Sequence, residues 1–251
     1  MWNDRQRPAR LLADQRRALA AYVRWDVRPY SAGYGPALAS GFDRLPLTEL
    51  DGADDGRDFV LRPTPAAMRT SARPTERIRS RLQSSRRLYR EHIDPDYKPV
   101  HWMMAGTVPI GCSATDLERF AELGRRWLET AGVRSTDILV SILPPGPSVA
   151  FWQLSLGARR GGVPAMMLPA TASGDEVARF HPTVVAGRPA DILPIAEQLD
   201  GVHTVLVVGE PMDASARARL RVALPDGAEV VAAWAPSGVR ALWTECRGGE
   251  A

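Results

Sequence analysis

The feature that narrows the fold most lies between residues 98 and 145. There an apolar run, a glycine-containing loop, an amphipathic segment and a second apolar run follow one another. Pro99–Ala105 is apolar and bulky, with His101 and Trp102 inside it, and reads as a buried strand. The stretch Gly106–Gly111 punctuates the chain. Thr115 and Glu118 read as a capping box, and Asp116 adds negative charge at the positive end of the helix they open. Leu117, Phe120, Ala121, Gly124, Trp127, Leu128 and Ala131 recur at helical spacing, and Gly132 is placed to end the helix as a left-handed cap. Ile138–Leu143 is then a strand-like run stopped by Pro144 and Pro145.

The same alternation continues downstream. Ser148–Arg160 reads as a helix with Trp152 and Leu156 on one side, and Pro164–Leu168 as a short buried strand. Ser173 with Glu176 forms a second capping box, and Pro182 follows the helix it opens. Thr183–Gly187, Thr204–Val208 and Glu229–Trp234 read as strands. Between them, Ala190–Leu199 is mainly helical with Pro194 disturbing it, and Asp213 caps a helix through Leu224. Strands alternating with short helices predict an α/β fold, a mostly parallel sheet flanked by helices on both faces. Ligands of such sheets bind at the C-terminal ends of the strands. The loops that matter are therefore Gly106–Ser113, Pro144–Pro147, Pro169–Ser173, Gly209–Asp213 and Ala235–Gly238.

Residues 1–97 lack that alternation and are expected to form a mainly helical N-terminal region, leaving 98–251 as the α/β domain. Leu11, Ala18, Leu19, Tyr22, Val23 and Trp25 suggest a helix ending before Pro29. The segment SAGYGPALASGF and the acidic run ELDGADDG read as loop and surface turn. Arg69, Arg73, Arg77, Arg79, Arg81, Arg86, Arg87 and Arg90 cluster around Ile78, Leu82 and Tyr89. That pattern reads as the solvated side of a helix whose buried face carries the three apolar residues, so no nucleic acid is expected as partner.

Composition excludes several classes. No apolar run approaches the roughly 20 residues of a membrane-spanning helix, and the charged start MWNDRQRPAR is not followed by an apolar signal core. A cytoplasmic protein without a membrane partner is expected. Two cysteines, Cys112 and Cys246, make neither a disulfide framework nor a metal cluster. The four histidines, His92, His101, His181 and His203, have no metal-ligand spacing.

The spacing Gly106-Thr-Val-Pro-Ile-Gly111-Cys112-Ser113 mimics a phosphate loop, but Cys112 stands where the phosphate-binding lysine belongs. A tight strand-to-helix turn is the plainer reading. The order of motifs then becomes telling. Leu45-Pro-Leu-Thr48, the helix Ser113–Val133, the turn Leu156–Pro164, Pro182-Thr-Val-Val185, Gly209-Glu210-Pro211 and the aromatic-led segment Trp234–Cys246 run in one order. In that order the chain resembles the N-terminal part of AMP-forming adenylating enzymes, the acyl-CoA synthetase superfamily, and most closely its phenylacetate–CoA ligase-like branch. The resemblance covers roughly residues 40–251.

That resemblance implies an enzyme that joins a carboxylic acid, here an aryl acid by the branch it resembles, to ATP and passes the acyl group to CoA or another thiol. It implies ATP or AMP, Mg and CoA as cofactors. It implies nucleotide contacts from Gly106, Thr107, Gly209, Glu210, Pro211, Trp234 and Ser237, and an acyl pocket around His101, Phe151 and Trp152. The family's Mg-binding carboxylate falls on Gly238, and Glu245 is the nearest substitute. The phosphate-loop lysine and several hydroxyls are replaced, because Met103, Met104, Val108, Pro109 and Ile110 occupy the aligned segment MMAGTVPIG. The sequence stops at ECRGGEA, where the family continues, so the α/β domain is expected to be incomplete on its C-terminal side.

Two functional expectations follow. One is a ligase impaired or inactive alone. The other is a non-catalytic relative that binds or scaffolds through a protein partner. An incomplete sheet would leave an edge exposed, so a homo-oligomer or a complementary subunit is expected. Met103, Met104, Met166 and Met167 are expected to fill core gaps.

Overall fold

The computed structural model describes residues 8–31, 34, 61, 63–71, 73–105, 108–209, 212–234 and 243–245. The chain packs as two compact units, Met1–Lys98 and Pro99–Ala251. Among the described residues no helix is long and apolar enough to cross a membrane.

The first unit is helical. Helix α1, Pro8–Tyr22, runs into a π-helical turn over Val23–Val27. Two short helices follow, α2 (Pro65–Ser71) and α3 (Pro74–Arg81), then α4 (Ser85–Leu88), a π-helical turn at Tyr89–Ile93, and α5 (Asp94–Tyr97). Arg69 joins these segments: its guanidinium donates to the Ser80 and Gln83 carbonyls at 3.3 and 3.2 Å and to Ser85 Oγ at 3.1 Å. The helix face expected to be buried is not. Ile78, Leu82 and Tyr89 are exposed, whereas Ser80, Leu88 and Ile93 are buried. The Arg69 bonds to the end of α3 turn the Ser80 side inward, and an eight-residue helix has no second turn of apolar residues to resist it.

The second unit opens with a hairpin. Strand β1, His101–Ala105, pairs antiparallel with β2, Val108–Cys112, in the register His101↔Cys112 to Ala105↔Val108. Of the stretch expected to be a glycine loop, residues 108–111 are instead strand, paired antiparallel with β1. Helix α6, Ala114–Thr130, starts directly after β2. Its capping box is Ser113 with Asp116, not Thr115 with Glu118. The Asp116 N–H donates to Ser113 Oγ at 3.2 Å, and the Ser113 N–H donates to Asp116 Oδ2 at 3.0 Å. Because β2 extends to Cys112, the helix begins two residues earlier than the Thr115 reading requires.

The remainder is a six-stranded sheet. Its strands are β3 (Leu139–Ser141), β4 (Ala165–Met167), β5 (Val184–Gly187), β6 (Thr204–Val208), β7 (Glu229–Trp234) and β8 (Trp243–Thr244), in the order β4-β3-β5-β6-β7-β8. Neighbours from β4 to β7 are parallel, and β8 runs antiparallel to β7. The crossovers carry α7 (Val149–Gly161), α8 (Gly174–Ala178), α9 (Pro189–Ile192) continued by a 3₁₀ turn at Leu193–Gln198, and α10 (Ala214–Ala223). Pro194 marks the change from α to 3₁₀.

Both faces of the sheet are covered, and the strands divide by the period of two. Leu139, Val184, Ala186, Leu206, Val208, Val231 and Ala233 pack with Trp127 and Leu128 of α6 and Leu154 and Ala158 of α7. Val140, Val185, Val205, Val207 and Val230 face the other way, onto Ile192, Leu199 and Leu220. Strands buried on both sides read as unbroken apolar runs, which is why β5 and β6 stand out in the sequence. Strand β4 departs from expectation: Ala165 and Met166 are exposed, because it is an edge strand paired with β3 alone among the described residues.

Helices α6 and α7 meet backbone to backbone. A Cβ on Gly124 would lie 2.1 Å from the Gln153 carbonyl oxygen, and one on Gly157 would lie 2.4 Å from the Gly124 carbonyl carbon. Only glycine permits that approach, and it brings both helices flat onto the sheet.

Candidate functional site

The C-terminal ends of the parallel strands form the rim where a ligand of this fold would sit. Strand β6 ends at Gly209, whose φ of 95° is a left-handed conformation that favours glycine. Strand β7 ends at Trp234, which remains half exposed. The β6–β7 register runs from Thr204↔Glu229 to Val208↔Ala233, so Gly209 and Trp234 are the next step on adjacent strands. Two of the expected nucleotide residues are thus side by side. Gly106, Thr107, Glu210, Pro211 and Ser237, with Gly238, lie outside the described residues.

The hairpin is fastened to this same rim. The Met104 N–H donates to the Pro147 carbonyl at 2.6 Å, and Met104 bridges Ser148 in parallel. Pro147 and Ser148 belong to the loop that leaves β3 and opens α7, one of the loops expected to matter. The three residues expected around an acyl group come together here. The His101 ring meets Trp152 edge-on at 4.3 Å between centroids, and Phe151 meets Trp152 edge-on at 5.5 Å. Phe151 is buried in the core under the sheet, and Trp152 packs between that core and the small cluster of Met103, Cys112, Phe120 and Val149. His101 Nε2 is buried without a hydrogen-bond partner among the described residues. A general base needs a group to orient its proton, and none is in place on this imidazole, so its visible work is aromatic contact. Met103 is fully buried, in the core role expected of it; Cys112 is buried beside it, where a thiol is inert.

Glu245 does not suit a metal ion. Arg217 Nη2 donates to both of its oxygens at 2.6 and 2.7 Å, and the Ala232 N–H donates to Oε2 at 3.1 Å. Burial alone would raise its pKa; the Arg217 and Ala232 bonds outweigh burial and hold it below the ordinary carboxylate range. Arg217 also donates to the Val230 carbonyl at 2.9 Å, so the pair straps α10 to β7 and β8. A divalent cation on Glu245 would have to displace the guanidinium nitrogen that bonds both of its oxygens. Among the described residues no group of three or more His, Cys, Asp or Glu side chains is gathered for a metal.

One charged pair at the rim escaped sequence reasoning. Arg188 directly follows β5, and its guanidinium donates to both Asp191 oxygens at 2.6 and 3.0 Å. A side chain on Gly209 would come within 3.9 Å of the Arg188 Cγ. A basic residue immediately after the apolar run Thr183–Gly187 was the available signal.

No family model matches the chain, and no curated protein matches it in sequence. Solved structures do match. An open conformation of 2-hydroxyisobutyryl-CoA ligase in complex with 2-HIB-AMP and CoA aligns with 91% of this chain and 50% of its own, at 16% identity and a TM-score of 0.59. The same ligase in the postadenylation state, in complex with 2-HIB-AMP, aligns with 90% and 49%, at 17% identity and a TM-score of 0.57. In the thioesterification state, with 2-HIB-AMP and CoA, it aligns with 88% and 48%, at 17% identity and a TM-score of 0.55. At such identities the likeness shows the fold alone, an α/β fold shared with part of that ligase. The chain spans about half the length of these structures.

Proposed function

We propose that the chain is a relative of the AMP-forming acyl-CoA ligases, of the phenylacetate–CoA ligase-like branch, and that it binds an adenosine nucleotide at the strand-end rim. The adenine lies against Trp234 and the backbone at Gly209-Glu210-Pro211, with Gly106, Thr107 and Ser237 toward the phosphates. The acid, an aryl carboxylate, lies toward His101, Phe151 and Trp152. When bound, ATP with Mg and CoA would supply adenylation and thioester formation. The observation that carries the reading is the adjacency of Gly209 and Trp234 at the ends of neighbouring parallel strands, in a fold shared with a ligase solved with an acyl-AMP.

The chain alone is impaired or inactive in this chemistry. Cys112 replaces the phosphate lysine, Gly238 replaces the metal carboxylate, and Glu245 is held by Arg217. Loss of one preorganised charge-stabilising group costs about 10²–10³ in rate. The engagement of Glu245 favours the second reading, a non-catalytic relative acting through a partner in the cytoplasm. The open β4 edge supports a homo-oligomer or a complementary subunit, with 1–97 as the helical region and 98–251 as the nucleotide-binding domain.

The test is titration of the chain with AMP, ATP and an acyl-sulfamoyl adenosine, followed by tryptophan fluorescence, beside a pyrophosphate-exchange assay with aryl acids. Saturable nucleotide binding without exchange is expected. Carboxylate-dependent exchange by this chain would overturn the impaired reading, and absence of binding by all three nucleotides would overturn the nucleotide reading.

A further inference from the structure

The five parallel strands are followed by Ile142, Leu168, Arg188, Gly209 and Ala235. Arg188 is the one charged residue in that set, and β5, which it follows, is the middle strand of the parallel order β4-β3-β5-β6-β7. On one side of it is β3, whose exit loop holds the hairpin through Pro147 and leads into Phe151 and Trp152. On the other side are Gly209 of β6 and, one strand further, Trp234 of β7. Neighbouring strands are about 4.8 Å apart, so a single step separates Arg188 from the end of β3 and another from the end of β6.

The arginine is held in place at both ends. Its carbonyl accepts from the Asp191 and Ile192 N–H groups at 3.0 Å each, and Ile192 is fully buried. Its Nε and Nη2 donate to the two Asp191 oxygens at 2.6 and 3.0 Å, a fork-on-fork pair that fixes the plane of the guanidinium. The Asp191 side chain is 13% exposed and that of Arg188 39%, so the guanidinium is the partner a ligand can reach. Its stem passes beside the bare backbone of Gly209. A Cβ placed there would come within 3.9 Å of Arg188 Cγ and within 4 Å of no other described residue beyond its chain neighbours. The other expected source of positive charge is gone: Cys112 stands at the phosphate-lysine position, and the chain's single lysine, Lys98, belongs to the helical unit.

We propose, resting on the nucleotide reading above, that Arg188 is the anion-binding residue of the rim and takes the phosphate that joins the nucleoside to the acid. It stands between the strand ends assigned to adenine and the aromatic residues assigned to the acid, which is where that phosphate falls. A guanidinium carries five N–H donors, of which Asp191 engages two, and its planar fork suits phosphate oxygens. Asp191 is then a positioning residue that acts through Arg188.

The experiment uses the full chain, titrated with adenosine and with AMP and followed by tryptophan fluorescence. AMP is expected to bind the parent about tenfold more tightly than adenosine. Arg188→Gln combined with Asp191→Asn removes both charges, so that no part-buried carboxylate is left unpaired. That variant should bind adenosine as the parent does, which also shows it folded, and should lose the tenfold preference for AMP. Arg188→Lys keeps a cation beside Asp191 and guards against a folding failure of the double variant; without the fork it should bind adenosine fully and lose part of the preference. If the parent binds neither ligand, the nucleotide reading fails and this assignment fails with it. If the parent binds adenosine and AMP alike, or both variants keep its full preference for AMP, Arg188 is not the phosphate residue although the nucleotide reading stands. Variants that lose adenosine and AMP in equal measure would assign the pair to holding the rim, which equally overturns the proposal.

Discussion

The two ends of the same parallel strands are built in opposite ways. At the N-terminal end, Asp137 closes the sheet. Its Oδ2 accepts from the Arg134 N–H at 2.7 Å, and its Oδ1 accepts from the Thr183 hydroxyl at 3.1 Å and lies 3.0 Å from His203 Nε2. Thr183 Oγ1 in turn accepts from the Ile138 N–H, and His203 Nδ1 lies 2.9 Å from Thr204 Oγ1. One carboxylate thus ties the starts of β3, β5 and β6. At the C-terminal end no described residue forms such a clamp across all three strands; they finish in a proline loop, in Arg188 and in Gly209, beside the half-exposed Trp234 of β7. Bonds that tie strands together are gathered at the N-terminal end, and the C-terminal end, where the proposed nucleotide would lie, is left to backbone and a half-exposed ring. Each substitution below breaks or sharpens that contrast.

The largest effect should come from the helix layer beneath both ends. Gly157→Leu would drive a side chain into the Gly124 backbone, 2.4 Å from the would-be Cβ, with backbone and not a flexible side chain in the way. A loss of roughly 3 kcal/mol or more is expected, as for severe overpacking. Gly161→Ala, whose Cβ would meet its nearest neighbour at an ordinary 3.5 Å, is the control and should change little. Equal urea midpoints for the two variants would contradict the backbone contact between α6 and α7.

Next in size is the clamp itself. Asp137→Asn should cost about 1–3 kcal/mol, because it weakens several part-buried bonds at once, and should leave binding at the opposite rim unchanged. Burial alone would raise the Asp137 pKa, but the Arg134 N–H, His203 and Thr183 contacts prevail and lower it. A folded pKa below the unfolded one gives stability that is present above the unfolded value, about 4, and is lost as pH falls through the folded value. Denaturant midpoints between pH 6 and pH 3 (about the aspartate range) should therefore fall more steeply in the parent than in Asp137→Asn. Parallel curves would show that Asp137 is not the group that couples this end to acid.

A smaller, opposite effect is expected at His181, which leads into β5 at the clamped end. It holds a φ of 46° without being glycine, with its N–H donated to the Ala178 carbonyl. His181→Gly relieves that conformation and, after the extra backbone freedom of the unfolded glycine, should stabilise the chain by about 0.5–1 kcal/mol. A thermal midpoint that falls instead would show that the imidazole contributes more than its backbone costs.

The parallel sheet was legible in the sequence because both faces are covered. Thr204–Val208 and Glu229–Trp234 are each one polar residue followed by an unbroken apolar run, and their limits coincide with β6 and β7. What escaped notice depended on partners distant in sequence. The hairpin was hidden because Pro109 and Gly111 inside β2 look like loop residues; Gly111 instead leaves room for the Trp102 ring, 3.3 Å from a Cβ placed there. The exposure of β4 follows from its place at the edge, which its own residues do not encode. The candidate site was legible only in its backbone half. The position of Gly209 and Trp234 at strand ends could be read from the strand boundaries, whereas the Arg217 hold on Glu245 spans 28 residues and comes from a helix. Asp137 and His203, 66 residues apart, carry no local signal of each other either.

The smallest effect on stability is the one that sharpens the comparison most. Trp234→Ala removes a large ring from the end of β7; that ring is half exposed, lies beyond the last β6–β7 register pair and stands in register with Trp243 of β8. The change should therefore cost about 0.5 kcal/mol, the size of one cross-strand pair at a part-exposed position. If the open end is for binding, the same substitution should weaken AMP or acyl-sulfamoyl adenosine by about tenfold or more, since stacking a base on an aromatic ring contributes roughly 1–3 kcal/mol. Asp137→Asn should give the mirror image, a large loss of stability and unchanged nucleotide affinity. A Trp234→Ala variant that loses stability and keeps its affinity would assign the ring to the sheet edge and move the site elsewhere.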